Sequence, residues 1–278
     1  MSMITTSMSI TLKDDTFKQL RDFIYEKSGI FIPDNKKYFL ENKLIRRIQE
    51  KNFNSFEDYL YLIRYNANGA ELATLFDLVT TNETFFFREP HQFDILFDYV
   101  MPEIAAVKKA NNFRIWSAAC STGEEPYTIV MMRAERKPDT RIDVYASDIS
   151  DGVLASAMKG KYSSYAVRNI PEPYMKKYFQ VSGQTFDLSP AIRNGVKFAN
   201  INLTDERKMR TMSDMDIIFC RNVLIYFDDK AKQKAVSLLY NSLRPGGFLF
   251  TGSTESLHNV TRAFKPVIIN KVIVYRRA

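Results

Sequence analysis

Apolar residues from Leu12 onward recur at helical spacing, with Phe17, Leu20, Phe23 and Ile24 on one face and Ser28-Gly29 as the stop. Ile30 to Pro33 reads as a short extended connector, because a residue before proline is pushed out of the helical region. A second helix is predicted from about Asn35 to Lys51, with Tyr38, Phe39, Leu44, Ile45 and Ile48 inward. Its outer face carries Lys36, Lys37, Lys43, Arg46, Arg47 and Lys51 against Glu41 and Glu50. That face is either a solvated helix surface or a docking surface for an acidic helix. Ser55 and Asp58 have the spacing of an N-terminal cap, opening a third helix through Tyr65. Residues 66–69 (Asn-Ala-Asn-Gly) break it, and a fourth helix, about Ala70 to Thr80, turns Leu72, Leu75, Phe76 and Val79 inward. Residues 10–80 therefore read as an all-α domain, preceded by a polar, Met- and Ser-rich stretch, 1–9, that is expected to fray.

The pattern then changes. Residues 81–100 begin with Thr81-Asn-Glu-Thr-Phe-Phe-Phe-Arg88, an aromatic connector whose polar Asn82, Thr84 and Arg88 suggest that it also lines a pocket. A helix is predicted from Gln92 to Lys109. From about residue 101 to 278 apolar strand patterns alternate with helical ones. Phe113–Ala119 is a strand, Cys120–Gly123 a tight turn, and a helix opens near Glu124. Ile142–Ser147 is a strand ending in Asp148, Ser150–Met158 starts a helix, and the alternation resumes at 195–203, 215–222, 228–243 and 244–252. Phe264 to Arg276 reads as a closing antiparallel hairpin. Residues 160–194, with short aromatic pieces and two prolines, interrupt this order as an inserted small β-subdomain with a helix near 173–179. The predicted class is α/β, a doubly wound parallel sheet after an all-α domain.

Composition narrows the chemistry. The 278 residues are 45% hydrophobic and 13% aromatic, enough for real cores. The longest apolar runs are too short to span a bilayer, and no signal peptide is evident, so a cytoplasmic protein is expected. Two cysteines, Cys120 and Cys220, fit a reducing compartment, and with two histidines, His91 and His258, they make no zinc set. The net charge of +7 points to an anionic partner, but no nucleic-acid-binding signature accompanies it.

In a doubly wound sheet the ligand sits at the carboxyl ends of the strands. The residues there are Gly123 with Glu125, Asp148, Asn202, and Cys220 with Arg221 and Asn222. Asp148, 25 residues after Gly123, can receive ribose hydroxyls, or it can simply cap the next helix. The first turn has one glycine and two acids, Glu124 and Glu125, where a dinucleotide would place its pyrophosphate. That repels phosphate and suits a cation. S-adenosylmethionine, with an adenosine, a sulfonium and an amino group, fits this charge logic better than a dinucleotide.

Several long motifs occur in order: Asn82-Glu-Thr-Phe-Phe-Phe-Arg88, Trp116-Ser-Ala-Ala-Cys-Ser-Thr-Gly-Glu-Glu-Pro-Tyr127, Ala146-Ser-Asp148, Phe219-Cys-Arg-Asn-Val-Leu-Ile-Tyr-Phe-Asp228 and Gly246-Gly-Phe. Through them nearly the whole chain resembles the CheR-type chemotaxis receptor methyltransferases. The resemblance implies S-adenosylmethionine-dependent methyl esterification of glutamates on chemoreceptor cytoplasmic helices. It further implies a helical N-terminal domain, a Rossmann-like methyltransferase domain and an inserted β-subdomain. Matched position by position, it implies cofactor contacts at Asn82, Thr84, Arg88, Glu125, Asp148, Asn202, Leu203, Cys220 and Arg221, with Asn222 beside them, and it puts Arg88 and Tyr226 nearest the transferred methyl. Packing beside Phe227 is the other reading of Tyr226.

One departure stands out. Some family members hold a receptor's C-terminal peptide through a glycine-containing hairpin loop in the inserted subdomain. Here the corresponding stretch, Gln180 to Phe186, is short and has one glycine, so no such tether is expected. Cys120 and Cys220 end neighbouring strands and read either as small core residues or as an oxidisable pair at the site. The competing functions are methylation of another protein or small molecule, and a non-catalytic cofactor-binding adaptor docked through the basic helix.

Overall fold

The helical pattern and the alternating pattern each build a hydrophobic core of their own. In the computed structural model, which describes residues 10–65 and 69–278, the chain divides into compact units at Thr80/Thr81. The expected fraying of residues 1–9 and the break at 66–68 lie outside the described residues.

The first unit is helical: α1 (Asp14–Ser28), α2 (Lys37–Glu50), α3 (Phe56–Tyr65) and α4 (Ala70–Val79). Gly29 ends α1 in the left-handed region at φ 79°, its N–H donating to Tyr25 O, as a glycine C-cap should. Ser55 Oγ accepts from Asp58 N at 3.1 Å and opens α3 as its spacing predicts. A 3₁₀ turn, Asp34–Lys36, precedes α2, so the α-helix itself begins two residues later than expected. Its inward stripe is Leu40, Leu44 and Ile48. Tyr38, expected inside, is 56% exposed, because it lies six residues before Leu44, about 120° around the helix. The basic face is partly structural. Arg47 donates twice to the buried Glu71, both at 2.8 Å, and Lys51 Nζ lies 3.0 Å from the same carboxylate. The two cations hold Glu71 well below the usual carboxylate range, at about 2.

The second unit starts with α5 (Pro90–Ile95), which continues through a π-helical turn, Leu96–Val100, into α6 (Met101–Lys108). Then come β1 (Asn112–Ala118), α7 (Glu124–Arg136), β2 (Arg141–Asp148) and α8 (Asp151–Lys159). The insertion holds β3 (Lys161–Tyr162), α9 (Ser164–Val167), α10 (Glu172–Tyr178), β4 (Phe179–Ser182), β5 (Thr185–Leu188) and α11 (Pro190–Arg193). The chain returns through β6 (Val196–Asn200), α12 (Glu206–Met209), β7 (Met215–Cys220), α13 (Asp229–Ser242), β8 (Leu243–Thr251), β9 (Phe264–Ile269) and β10 (Val272–Arg277).

The seven-stranded sheet has the order β6-β2-β1-β7-β8-β10-β9, and the insertion forms its own sheet, β3-β5-β4. Five strands run parallel, and β9–β10 close the edge as an antiparallel hairpin. Asn270 and Lys271 both take positive φ, 47° and 66°, as a two-residue hairpin turn requires. The centre strand β7 is buried along its whole length, which explains its unbroken apolar pattern. Its one acid, Asp216, is matched by Lys108 Nζ and Arg244 Nη1, each at 3.0 Å, and by Arg114 N at 2.8 Å.

Candidate active site

Strand order reverses at β1, whose neighbours are β2 on one side and β7 on the other. Register aligns their carboxyl ends, Ala118 opposite both Ser147 and Cys220, and Cys220 opposite Thr251. A crevice at such a switch point is where open α/β sheets bind ligands. The loop leaving β1 turns sharply there. Ala119, Ser121 and Gly123 all take positive φ, at 62°, 49° and 92°. A Cβ on Gly123 would stand 2.9 Å from both Ala157 Cβ and Tyr127 Cε2, so only glycine fits.

The residues of this loop face two different environments. Glu125 Oε1 accepts from Ser117 Oγ at 2.7 Å and its Oε2 from Arg221 Nη1 at 3.0 Å. A carboxylate has about four acceptor sites, so capacity remains for a cationic ligand group. Arg221 reaches across the crevice: Nη2 donates to Arg88 O at 2.7 Å and lies 3.1 Å from Glu89 Oε2. Glu124 instead is buried, its carboxylate receiving the Thr122 hydroxyl at 2.7 Å. Burial pushes this carboxyl up to about 7.

Asp148 ends β2, nearly buried, and its two oxygens accept from Ser121 N at 2.9 Å and Ser150 N at 3.0 Å. The cap of α8 is Ser150, whose hydroxyl accepts from Val153 N, and Asp148 in turn accepts the N–H of that cap residue. Asn202 and the buried Leu203 follow β6, and Asn202 Oδ1 accepts from Thr204 N at 2.9 Å. The connector lies over the same end. Ser121 Oγ donates to Asn82 O, Phe87 N to Thr128 Oγ1, and Tyr165 OH to Glu83 Oε1. Thr84 and Arg88 are half-buried, and Arg88 stacks near the Phe85 ring. Beyond β7, Asn222 is left-handed at φ 57°, and the 3₁₀ turn Leu224–Tyr226 carries the half-buried Tyr226. All the expected site residues thus belong to residues 82–226 of the second unit.

Cys120 and Cys220 are both buried, and burial pushes both thiols well up. Inert core residues are their better description. Sequence reasoning passed over Glu89, Ser117 and Glu255. Glu255 accepts from Asn222 N at 2.6 Å and Gly252 N at 2.8 Å. Ser117 alone had a signal, since it sits in the Trp116–Tyr127 motif at the end of β1. Among the described residues no helix is long and apolar enough to cross a membrane, and no cluster could hold a metal ion.

The site suits a phosphate-free cationic nucleoside: Glu125 in the first turn of α7, Asp148 at the end of β2, and a glycine-poor turn between β1 and α7. Comparison with known proteins agrees with that chemistry. Residues 15–80 match the family model "CheR methyltransferase, all-alpha domain", and residues 82–273 match "CheR methyltransferase, SAM binding domain". The chain is 39% identical to Chemotaxis protein methyltransferase 2 of Vibrio cholerae, covering 92% of this chain and 90% of that one. It is 34% identical to the Chemotaxis protein methyltransferase of Escherichia coli, over 92% and 89% of the two chains. This chain belongs to the CheR methyltransferase family and carries that family's all-alpha domain followed by its SAM-binding domain.

Proposed function

We propose that this protein transfers the methyl group of S-adenosylmethionine to glutamate side chains on the cytoplasmic helices of chemoreceptors, forming glutamyl methyl esters. Family membership supports the methyltransferase activity, its cofactor and its chemotaxis setting. The observation that carries the site assignment is the Ser117–Glu125–Arg221 array across the switch point. Glu125 would receive the cofactor's amino group, and Asp148 its ribose hydroxyls. Asn82, Thr84, Asn202, Leu203, Cys220, Arg221 and Asn222 would form the rest of the cofactor's surroundings.

Bound S-adenosylmethionine supplies a methyl group activated by a sulfonium. A glutamate side chain, with a reference pKa of about 4.3, is ionised at neutral pH and needs no general base. The chain's own residues therefore position and desolvate. Arg88 would hold the acceptor carboxylate, and the Tyr226 hydroxyl would orient it. The test is labelled cofactor with chemoreceptor-containing membranes. Base-labile label on the receptor, lost in Arg88→Ala, is expected, whereas label on RNA, on a small molecule or on nothing would overturn the reading.

The docking surface would be the exposed part of the basic helix, Lys36, Lys43 and Arg46, because Arg47 and Lys51 are committed to Glu71. Reversing these three charges is expected to raise KM for the receptor and flatten its salt dependence, with cofactor affinity unchanged. The β4–β5 hairpin closes through Gly183-Gln184 alone, which supports a receptor that needs no C-terminal tether. Micromolar binding of a receptor-tail peptide would overturn that. A reaction on receptor helices inside the cell also implies a cytoplasmic protein.

A further inference from the structure

We infer that the turn Gly252–Glu255, which follows β8, holds in place the two residues assigned nearest the transferred methyl, and that Glu255 is its principal positioning residue. The inference rests on the assignment of Arg88 and Tyr226 made above. Glu255 is 8% exposed, and its carboxylate accepts three backbone N–H groups: Asn222 at 2.6 Å, Gly252 at 2.8 Å and Ile225 at 3.3 Å. Two of these donors belong to the loop that ends in Tyr226. Among the described residues Glu255 forms no salt bridge, so its charge is met by backbone dipoles.

The turn is built to aim this carboxylate. Glu255 N donates to Gly252 O at 2.8 Å, and Thr251 Oγ1 donates to Glu255 O at 2.8 Å. A Cβ on Gly252 would stand 2.7 Å from Asn222 Nδ2 and 2.8 Å from Glu255 Oε2, so a larger residue there would push these two side chains from their present positions. Asn222 sits at φ 57°, in the left-handed region that asparagine adopts more readily than most residues. Its N–H bond to Glu255 anchors that turn.

The same turn also reaches the Arg88 side. Ser253 N and Oγ donate to Glu89 Oε1 at 3.3 and 3.1 Å, and the other oxygen of Glu89 receives Gln92 Nε2 at 2.9 Å. Arg221, paired with Glu89, donates to Arg88 O. One turn therefore ties down both walls that would grip the acceptor. Without Glu255 the Asn222 and Ile225 N–H groups lose their partner and the loop shifts. A displacement of about 1 Å at reacting groups can cost roughly 100-fold in rate.

Full-length Glu255→Gln, nearly isosteric, aims an NH₂ at one of these amides. We expect its kcat on receptor membranes to fall about 10- to 100-fold, with S-adenosylhomocysteine affinity falling by a clearly smaller factor, under about fivefold, because Asn222 also borders the cofactor. Amide hydrogen exchange at Asn222 and Ile225 is expected to quicken while exchange in β1 and β2 is unchanged. In a Tyr226→Phe background, Glu255→Gln is expected to cost far less than alone. Unchanged kcat, or a parallel loss of cofactor affinity, would overturn the inference. If Glu255→Gln does not fold, Ser253→Ala reads the other arm of the turn. It is expected to show the same split between kcat and affinity at about threefold, and no split would overturn the inference. If Tyr226→Phe alone leaves kcat intact while Glu255→Gln lowers it, the tyrosine assignment fails and the positioning role stands through Asn222.

Discussion

Glu124 and Glu125 are consecutive, yet the helix turns one carboxylate into the protein and the other toward the crevice. For Glu124, burial raises the carboxyl from its ordinary 4.5 to about 7. Between those values the folded chain holds a proton that the unfolded chain has released, so stability falls as pH rises through that window. Glu124→Gln is expected to remove the fall: its Tm should exceed that of wild type at about pH 8 and converge with it near the ordinary value. Equal pH dependence in the two proteins would show that Glu124 is ionised in the fold. For Glu125, Glu125→Gln is expected to weaken S-adenosylhomocysteine binding at least about tenfold by calorimetry, because a buried charged hydrogen bond is lost and Arg221 loses a partner. Both thiols should be unreactive toward a thiol reagent until the chain unfolds, since both are buried and far from forming thiolates. Reaction of the native protein would revive the oxidisable pair. The two acids were legible as a charge pattern, but their division of labour was not, because a string of letters does not say which side of the first helical turn faces the crevice.

At the scale of elements, α2 and α4 are joined by a buried ion pair. Glu71 is held at about 2, against an ordinary 4.5, so its contribution is complete above the ordinary value and is lost as pH falls toward 2. Arg47→Ala leaves this carboxylate with only Lys51 and the Tyr59 hydroxyl and should destabilise the helical unit by on the order of 3 kcal/mol in denaturant melts. A change under about 0.5 kcal/mol would place Arg47 with ordinary surface cations instead. Helix starts and stops were readable because caps act locally: Gly29, Ser55, Ser150 and Asp228 each satisfy backbone groups within a few residues. Tyr38 faces outward because the stripe of α2 is set by Leu40, Leu44 and Ile48, and the preceding 3₁₀ turn leaves Tyr38 in the first helical turn, off that stripe.

For the whole molecule, the division at Thr80/Thr81 puts every assigned site residue in one unit and the basic helix in the other. A fragment of residues 81–278 is therefore expected to bind S-adenosylhomocysteine within about threefold of the full chain but to lose receptor methylation. Loss of cofactor affinity in that fragment would show that the helical unit supports the cofactor site.

The sequence by itself determined the class of each segment, the order of strands and helices, the insertion, and the family, because these rest on periodicity, local caps and motifs contiguous in the chain. It also made a phosphate ligand unfavourable through two acids at the first turn. Only the tertiary structure decided which distant polar groups meet. Ser117 with Glu125, Arg221 with Glu89 and Arg88, and Glu255 with the loop before Tyr226 are separated in sequence by 8 to 133 residues. They come together because strand register aligns the ends of β1, β7 and β8. Register is a property of pairing between strands, and no single stretch of the chain carries it.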